Sequence, residues 1–447
     1  MLYRKYLILA LLFLSGRKVG RHLREIQQLE KASADEVKQH TEQNLKKLLL
    51  HAARNVPYYS RILPECGVIA DGTVRLENFS RIPLLTKDII RQQGENLHSR
   101  DAKHRKPYAN TSGGSTGEPV HLLQDREYDD WNTATKIYFN AALGKEMGQR
   151  EIKFWGSDRD ILEGTLMLKD RLINWLYNRK FFNCYQLNDT ILNDLVRLNN
   201  TFKPVAYWSY MDSAIELADF LSNHNLAFHS PKIVISTIGP LTEPLKERIE
   251  AGMGGKVYNQ YGSREVGVIA CQCKEQKGLH TFPWWHHVEV VDAHGNPVEN
   301  SQGNVVVTTL RNYSMPLIRY EIGDVAVGGS SNCPCGRKTP VLDSVIGRTL
   351  GYFKKADGTR VHSHFIVQAL FFRTWIRRFQ VIQEAFDKVV ILMELKDGVG
   401  PNENDLADIR AKTQVIMGSQ CVIEIRIVDK IKHSQSGKFV YTLCKIQ

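Results

Sequence analysis

Between residues 120 and 270 apolar runs alternate with amphipathic ones, and this rhythm restricts the folds open to the chain. Residues 127–143 have helical spacing, 152–155 read as a strand, 211–221 as a helix and 233–237 as a strand closed by a Gly239-Pro240 turn. Residues 243–251 then read as a helix stopped by Gly252. Such alternation argues an α/β fold with parallel strands. Residues 288–326 break the rhythm into short strands and turns, with a hairpin tip at 292–297 and a strand at 304–309, giving a β-rich subregion.

Upstream, Ser33-Ala34-Asp35-Glu36 has capping-box form, and Leu45, Leu48, Leu49, Ala52 and Ala53 recur at helical spacing behind it. Pro57 stops that helix, and Pro57-Tyr58-Tyr59 and the stretch from Ile82 to Lys87 read as turns. A boundary falls near Gly347-Arg348. Beyond it a turn at Asp357-Gly358, strands at 389–395 and 422–428 and a helix at 406–417 make a small α/β domain. The expected organisation is therefore a basic apolar segment over 1–30, a large domain over 31–346 and a small domain over 347–447.

The 43% hydrophobic and 24% charged content suits a soluble globular protein. A net charge of +11 raises nucleic acid as a partner, but no cluster of basic and stacking aromatic residues forms a nucleic-acid module. A basic surface that draws in anionic nucleotides and acids explains the sign equally well. Residues 6–14 form an apolar run flanked by Arg4, Lys5, Arg17, Lys18, Arg21 and Arg24. It is shorter than the roughly 20 residues of a spanning helix, and its downstream flank is basic where a signal peptide has small residues. Three readings suit it: a peripheral membrane or partner-docking segment, a buried helix, or an export signal. The expected location is cytoplasmic, with peripheral attachment at the inner membrane face under the first of these.

Asn110 to Val120 reads Asn-Thr-Ser-Gly-Gly-Ser-Thr-Gly-Glu-Pro-Val. Its glycines let consecutive N–H groups turn into one concavity, and its hydroxyls add donors, so the stretch suits a polyphosphate. A flexible linker is the plain alternative, weakened by Pro119 and the immediate return of Leu122-Leu123. The Walker A pattern is absent. Farther on, Tyr258 to Glu265 offers a ring, backbone amides and a carboxylate suited to adenine and a phosphate-bound Mg²⁺, against the alternative of a packed loop. Met315 to Asp324 ends in an acid after a glycine, placed to accept from ribose hydroxyls. Arg348 supplies a guanidinium, and Lys438 follows Gly437 in a polar loop.

Taken in order, these motifs resemble the adenylate-forming superfamily of acyl-CoA ligases, adenylation domains and luciferases. Within it they are similar to the phenylacetate–CoA ligase branch and its capsule-biosynthesis (CapK-type) proteins. Asn55-Val56-Pro57-Tyr58-Tyr59, the doubled glycine at 113–114 and Thr308-Thr309-Leu310 followed by Asn312 fit that branch, and the resemblance runs from about residue 40 to 440. It implies a large nucleotide- and acid-binding domain followed by a mobile lid that carries the catalytic lysine. Carried over by position, Thr111, Ser112, Gly113, Gly114, Ser115, Thr116 and Gly117 form the phosphate loop, with residues 112–117 on the β- and γ-phosphates. Tyr261, Gly262 and Ser263 lie along the adenine, Glu265 holds Mg²⁺, Asp324 the ribose and Arg348 the ribose–phosphate region. Lys438 stabilises charge as a carboxylate attacks the α-phosphate. The acyl group then passes to coenzyme A, to a carrier thiol, or to an amine such as an amino sugar in surface-polysaccharide or secondary-metabolite synthesis. Two positions depart from the pattern: Leu350, where an acid is common at the hinge, and Val440, where a basic residue is common after the lysine. Both bear on the thioester half-reaction. The rival outside enzymes is a non-catalytic nucleotide-binding scaffold at a membrane assembly line. The intact Lys438, Glu265 and Asp324 argue against it. The acid's identity stays open, with walls sought around Phe154-Trp155-Gly156-Ser157 and Tyr207-Trp208.

Eight cysteines in 447 residues make no disulfide scaffold. Cys273, His280, Cys333 and Cys335 supply three sulfurs and an imidazole for a closed, structural zinc knuckle, with Cys271 able to replace Cys273. The alternative is two chance thiol pairs in a reduced protein.

Overall fold

The computed structural model describes residues 2–111, 120–155, 168–182, 184, 187, 189–237, 239, 241–329, 333–348, 353–356, 360–361, 363–371, 373, 375–396, 398–431 and 441–446. It divides into two compact units, Met1–Val345 and Ile346–Gln447.

The large unit begins with α1 (Leu2–Leu14), α2 (Val19–Leu29), α3 (Ala34–Asn55) and α4 (Pro57–Glu65). Residues 2–30 do not stand apart as a segment: α2 buries Val19 and Ile26 in the same core as Trp131 and Trp285. The capping box of α3 is formed, Ser33 Oγ accepting from the Glu36 N–H at 3.3 Å and Glu36 Oε2 from the Ser33 N–H at 2.7 Å. Pro57 ends α3 as expected but opens α4 as its first residue, because a missing N–H costs nothing in a first turn. The expected turn over Pro57-Tyr58-Tyr59 is thus a helix.

After the short pair β1 (Ile69–Ala70) and β2 (Thr73–Val74) comes α5 (Lys87–Gln93), then the hairpin strands β3 (Tyr108–Thr111) and β4 (His121–Gln124) and α6 (Arg126–Leu143). Next in the chain are β5 (Glu151–Phe154), α7 (Leu168–Leu176), β6 (Arg179–Phe182), α8 (Asp189–Phe202), β7 (Ala206–Tyr210), α9 (Met211–Asn223), β8 (Ile233–Thr237) and α10 (Glu243–Met253). The β-rich part follows: β9 (Lys256–Ser263), β10 (Gly267–Gln272), β11 (Leu279–Thr281), β12 (His286–Val291), β13 (Gln302–Thr309), β14 (Tyr320–Gly328) and β15 (Val341–Arg348). One sheet of eleven strands runs through the unit in the order β12-β13-β14-β15-β11-β10-β9-β8-β7-β5-β6. Its β6-β5-β7-β8-β9 end is parallel, as the helix–strand alternation requires, and β9 to β10 turns it antiparallel. Gly252 does not stop α10; it lies inside the helix, where an added Cβ would come within 2.6 Å of Ala218 Cα on α9. The stop is Gly254, left-handed at φ +75°.

Alternation along the parallel strands divides two cores. Ile152, Phe154, Tyr207 and Val234 pack with α8 and α9 on one face. Ala206, Trp208, Ile233 and Ile235 pack with α2 and α6 on the other. Phe154 and Tyr207 therefore serve the α8–α9 core and Trp208 faces α6, while Trp155 packs on Tyr210 with ring centroids 4.3 Å apart, and Gly156 and Ser157 lie outside the described residues.

The small unit has a four-stranded sheet of β18 (Ile376–Ala385), β19 (Lys388–Leu395), β20 (Val422–Ile427) and β21 (Thr442–Cys444), ordered β20-β19-β18-β21. It also carries the pair β16 (Phe353–Lys354) and β17 (Arg360–Val361), α11 (His364–Phe371) and α12 (Glu403–Met417). Ile366, Leu370, Phe379, Ile391 and Ile409 form its own core. The turn expected at Asp357-Gly358 lies outside the described residues.

Candidate active site

The arms of the glycine-rich stretch are the antiparallel strands β3 and β4, paired from Tyr108–Gln124 to Thr111–His121. Residues 112–119, and with them Ser112, Gly113, Gly114, Ser115, Thr116 and Gly117, lie outside the described residues. The arms are fastened to the Tyr-Gly-Ser-Arg-Glu stretch. Asn110 Nδ2 donates to Gln124 Oε1 at 3.0 Å and to the Arg264 carbonyl at 2.9 Å, and Gln124 Nε2 donates to the Glu265 carbonyl at 2.9 Å. Two stretches about 150 positions apart are thereby held side by side by amide side chains.

Tyr261, Gly262 and Ser263 end β9, whose pairing with β10 leaves no room for a side chain at 262: a Cβ there would meet the Gly267 carbonyl oxygen at 2.4 Å. Tyr261 is buried, and its hydroxyl donates to Asp324 Oδ2 at 2.7 Å. Asp324 sits on β14, so one hydrogen bond links two stretches that the sequence presents separately.

Glu265 is only 2% exposed. Its Oε1 accepts no hydrogen bond and lies 3.9 Å from Lys87 Nζ. A buried carboxylate oxygen so held is one that a bound cation satisfies, so the donor set fits Mg²⁺ at this position. Lys87 reaches it because Leu85 pairs with the start of β14, its N–H donating to the Arg319 carbonyl at 2.9 Å and its carbonyl accepting from the Glu321 N–H at 3.0 Å. The turn reading of residues 82–87 missed this strand-like docking.

The frame behind these groups is densely bonded. Asp125 caps α6 through the Tyr128 N–H at 2.9 Å and also accepts from the N–H groups of Tyr313 at 3.0 Å and Ser314 at 3.1 Å. Burial raises its pKa, and the three N–H bonds oppose that rise. Asn312 Nδ2 donates to the Leu123 carbonyl at 3.0 Å. Arg319, left-handed at φ +50°, is wholly buried. It faces Glu289 at 3.2 Å and donates to the carbonyls of Ser80, Ile82 and Gly295 at 2.5, 2.8 and 2.6 Å. Its guanidinium belongs to the fold.

Cys273, His280, Cys333 and Cys335 converge, their ligand atoms all within 4.8 Å of one another. Cys273 Sγ lies 3.6 Å from Cys333 Sγ, and Cys335 Sγ lies 3.3 Å from His280 Nε2. A tetrahedron with Zn–S of about 2.3 Å and Zn–N of about 2.0 Å has edges of roughly 3.5–3.8 Å, so these separations fit zinc. Thr339 Oγ1, 2.9 Å from His280 Nδ1, fixes the ring and turns Nε2 to the thiols. Burial, then Arg337, lowers the His280 pKa to about 4, which keeps the imidazole neutral as a ligand must be. Cys271 sits apart in the α2–α6 core.

Comparison with known proteins places this arrangement. Residues 353–445 match the CapK C-terminal domain family. Over 331 residues the chain is 26% identical to the phenylacetate–coenzyme A ligase of Thermus thermophilus, covering 72% of each protein. Over 314 residues it is 24% identical to the Escherichia coli phenylacetate–coenzyme A ligase, covering 66% of this chain and 68% of that one. The chain is an AMP-forming ligase, similar to phenylacetate–coenzyme A ligases. Among solved structures, 2-hydroxyisobutyryl-CoA ligase in its postadenylation state has the same fold, with a TM-score of 0.72 at 19% identity over 93% of this chain and 91% of that one. An amide bond synthetase from Marinactinospora thermotolerans gives a TM-score of 0.51 at 14% identity, over 72% of this chain and 65% of that one.

In this phenylacetate–CoA ligase-like chain the site residues named from sequence therefore fall into three groups. Thr111, Tyr261, Gly262, Ser263, Glu265 and Asp324 are held by one hydrogen-bonded frame. Cys273, His280, Cys333 and Cys335 form a second cluster. Lys438 and Val440, with Leu350, lie outside the described residues, and Arg348 is described only as the end of β15.

Proposed function

We propose that the protein activates a carboxylic acid with ATP and Mg²⁺. The carboxylate oxygen attacks the α-phosphate, an acyl-adenylate forms, and pyrophosphate leaves. The observation that carries this reading is the joining of the β3–β4 arms, the Tyr261–Asp324 hydrogen bond and the cation-ready Glu265 in one frame. Under it residues 112–117 bind the β- and γ-phosphates, Tyr261 to Ser263 border the adenine, Asp324 accepts from ribose and Glu265 ligates Mg²⁺. Arg348 serves the ribose–phosphate region, and Lys438 meets the α-phosphate charge in the transition state. Zinc at Cys273, His280, Cys333 and Cys335 has four protein ligands and no open position, so its work is structural.

The acceptor in this reading is a thiol, coenzyme A first, supported by the ligases to which the chain is similar. An amine is the second reading, favoured by Leu350 and Val440, which depart from the positions that accompany thioester formation. A carrier-protein thiol and a role in surface-polysaccharide synthesis belong to the same proposal. So does peripheral attachment at the inner membrane face. No helix among the described residues is long and apolar enough to cross a membrane. Tyr3, Tyr6, Phe13 and Leu14 on α1 are nonetheless exposed, and Arg4 lies 4.9 Å over the exposed Trp175 of α7, so the apolar surface spans two helices with a cation between them.

Pyrophosphate exchange across a panel of carboxylic acids tests the first half-reaction. An acid that drives ATP–pyrophosphate exchange, followed by acyl transfer to coenzyme A and not to amines, is the expected outcome. Exchange with no acid in the panel overturns the reading.

A further inference from the structure

The α6 face of the parallel strands holds a second collection of charged groups, away from the nucleotide frame. Lys153 on β5 pairs in register with Trp208 on β7, and its Nζ lies 5.6 Å from the indole centroid. Lys136 on α6 is within electrostatic reach of Lys153, as are Lys145 and Arg179. Glu151 is the carboxylate among them, and it is already engaged: Lys145 and Arg179 both bond to it, the latter at 2.5 Å. Asp129, which also acts on Lys136, is bonded to Arg17 at 2.5 Å. Three cations, Lys145, Lys153 and Arg179, thus act on one engaged carboxylate, and among the described residues neither Lys136 nor Lys153 has an ion-pair partner.

Both lysines are half-buried, and loss of hydration is the largest influence on each. Lys153 is pushed down to about 7, by burial first and then by Arg179. Trp208 is only 7% exposed, and its indole N–H has no acceptor. A buried N–H without an acceptor is costly, and an oxyanion is a group that would supply one.

Position says what that something joins. β5 connects through α7 to β6 on one side, while β7 lies on its other side, so the order in which the parallel strands are added reverses across the β5–β7 boundary. Ligands of open α/β sheets bind in the crevice at such a boundary, beyond the carboxyl ends of the strands. Lys153 is the penultimate residue of β5, and Trp208 is two residues from the end of β7.

We infer that this cluster is an oxyanion subsite, and that the acid the enzyme activates carries a second carboxylate, seated on Lys136, Lys153 and the Trp208 N–H. The inference rests on the ligase reading for what the first carboxylate does, but the subsite itself needs no ATP and no turnover.

Calorimetry on the full chain without nucleotide tests it with the matched pairs succinate against butyrate and isophthalate against benzoate. In at least one pair the dianion binds at least tenfold more tightly. Lys153→Met abolishes that preference, Lys136→Met reduces it, and Lys153→Arg retains most of it, which separates charge from packing. Equal affinity within each pair, absence of binding by either dianion, or a preference that survives Lys153→Met overturns the inference. Inorganic phosphate binding more tightly than both dianions also overturns it, since the site is then one for free phosphate. Pyrophosphate exchange driven by monocarboxylic acids alone, unaffected by Lys153→Met, sinks the subsite and leaves the ligase reading standing. Exchange with no acid, beside intact dianion binding, does the reverse.

Discussion

Arg319 and Lys153 are both cations inside the large unit, and the protein treats them differently. The Arg319 guanidinium meets Glu289 and three backbone carbonyls, from Ser80, Ile82 and Gly295, and tethers the loop before α5 to β12 and β14. The Lys153 ammonium has the face of Trp208 beside it and other cations around it. A buried charge with its partners built in is part of the fold; one without them is waiting for a ligand. Glu265, whose Oε1 accepts no hydrogen bond and stands 3.9 Å from the Lys87 ammonium, falls nearer to Lys153 in this respect, and Asp125, with three N–H donors, falls with Arg319. The sign of the charge does not separate structure from function here. The presence of partners does.

Breaking the satisfied member has the largest expected effect. Arg319→Met strands Glu289 and three carbonyls, and loss of one partner from a buried pair costs about 3–5 kcal/mol. Denaturant unfolding followed by fluorescence reads it directly. A loss under 1 kcal/mol would place Arg319 among the groups that wait for a ligand.

Next comes a residue whose work is done in the transition state. Lys438→Ala is expected to slow adenylate formation roughly 10²–10³-fold with ATP affinity nearly unchanged, the cost of one lost donor to developing charge. Near wild-type pyrophosphate exchange in the variant removes Lys438 from the mechanism.

The thiol cluster lies between the two kinds, since its partner is a metal. Protein purified without added zinc is expected to carry one zinc per chain, and Cys333→Ser or His280→Ala to lower metal content and thermal midpoint together. A metal-free protein with an unchanged midpoint breaks the assignment.

This comparison also explains what the sequence makes legible. The α/β alternation, the capping box at Ser33 and the strand at 233–237 are local patterns, and they fold as their spacing dictates. The thiol cluster follows from ligand chemistry at suitable spacing. Pro57 and Gly252 misled because each has two uses: a proline ends one helix or begins the next, and a glycine stops a helix or lets another approach it. The tie from Asn110 to Arg264, the reach of Lys87 to Glu265 and the Lys136–Lys153 cluster had no local signal. Each joins positions far apart in the sequence that only tertiary packing brings together. Of Phe154, Tyr207 and Trp208, strand alternation alone decides which faces α6, and that needed the register.

The smallest effect is the most discriminating. In the folded, ligand-free protein the Lys153 pKa is lowered to about 7 from an ordinary 10.5, by burial and then by Arg179, with Lys136 and Lys145 acting in the same direction and Glu151 opposing them. Between those two values the unfolded chain binds more protons at this position than the folded one. Stability therefore rises with pH across that window, and the penalty is fully present below the folded value. Because Lys153 retains solvent contact the swing is taken as only about 1 kcal/mol, well below the unscreened figure. Lys153→Met is expected to be more stable than wild type at pH 6 by about that much and to lose its advantage toward pH 10. Succinate, if it seats on the ammonium, narrows the gap at pH 6 by stabilising only the wild type. Parallel stability curves for the two proteins from pH 6 to 10 would mean that Lys153 is satisfied in the folded state, as Arg319 is, and the contrast between them would fall.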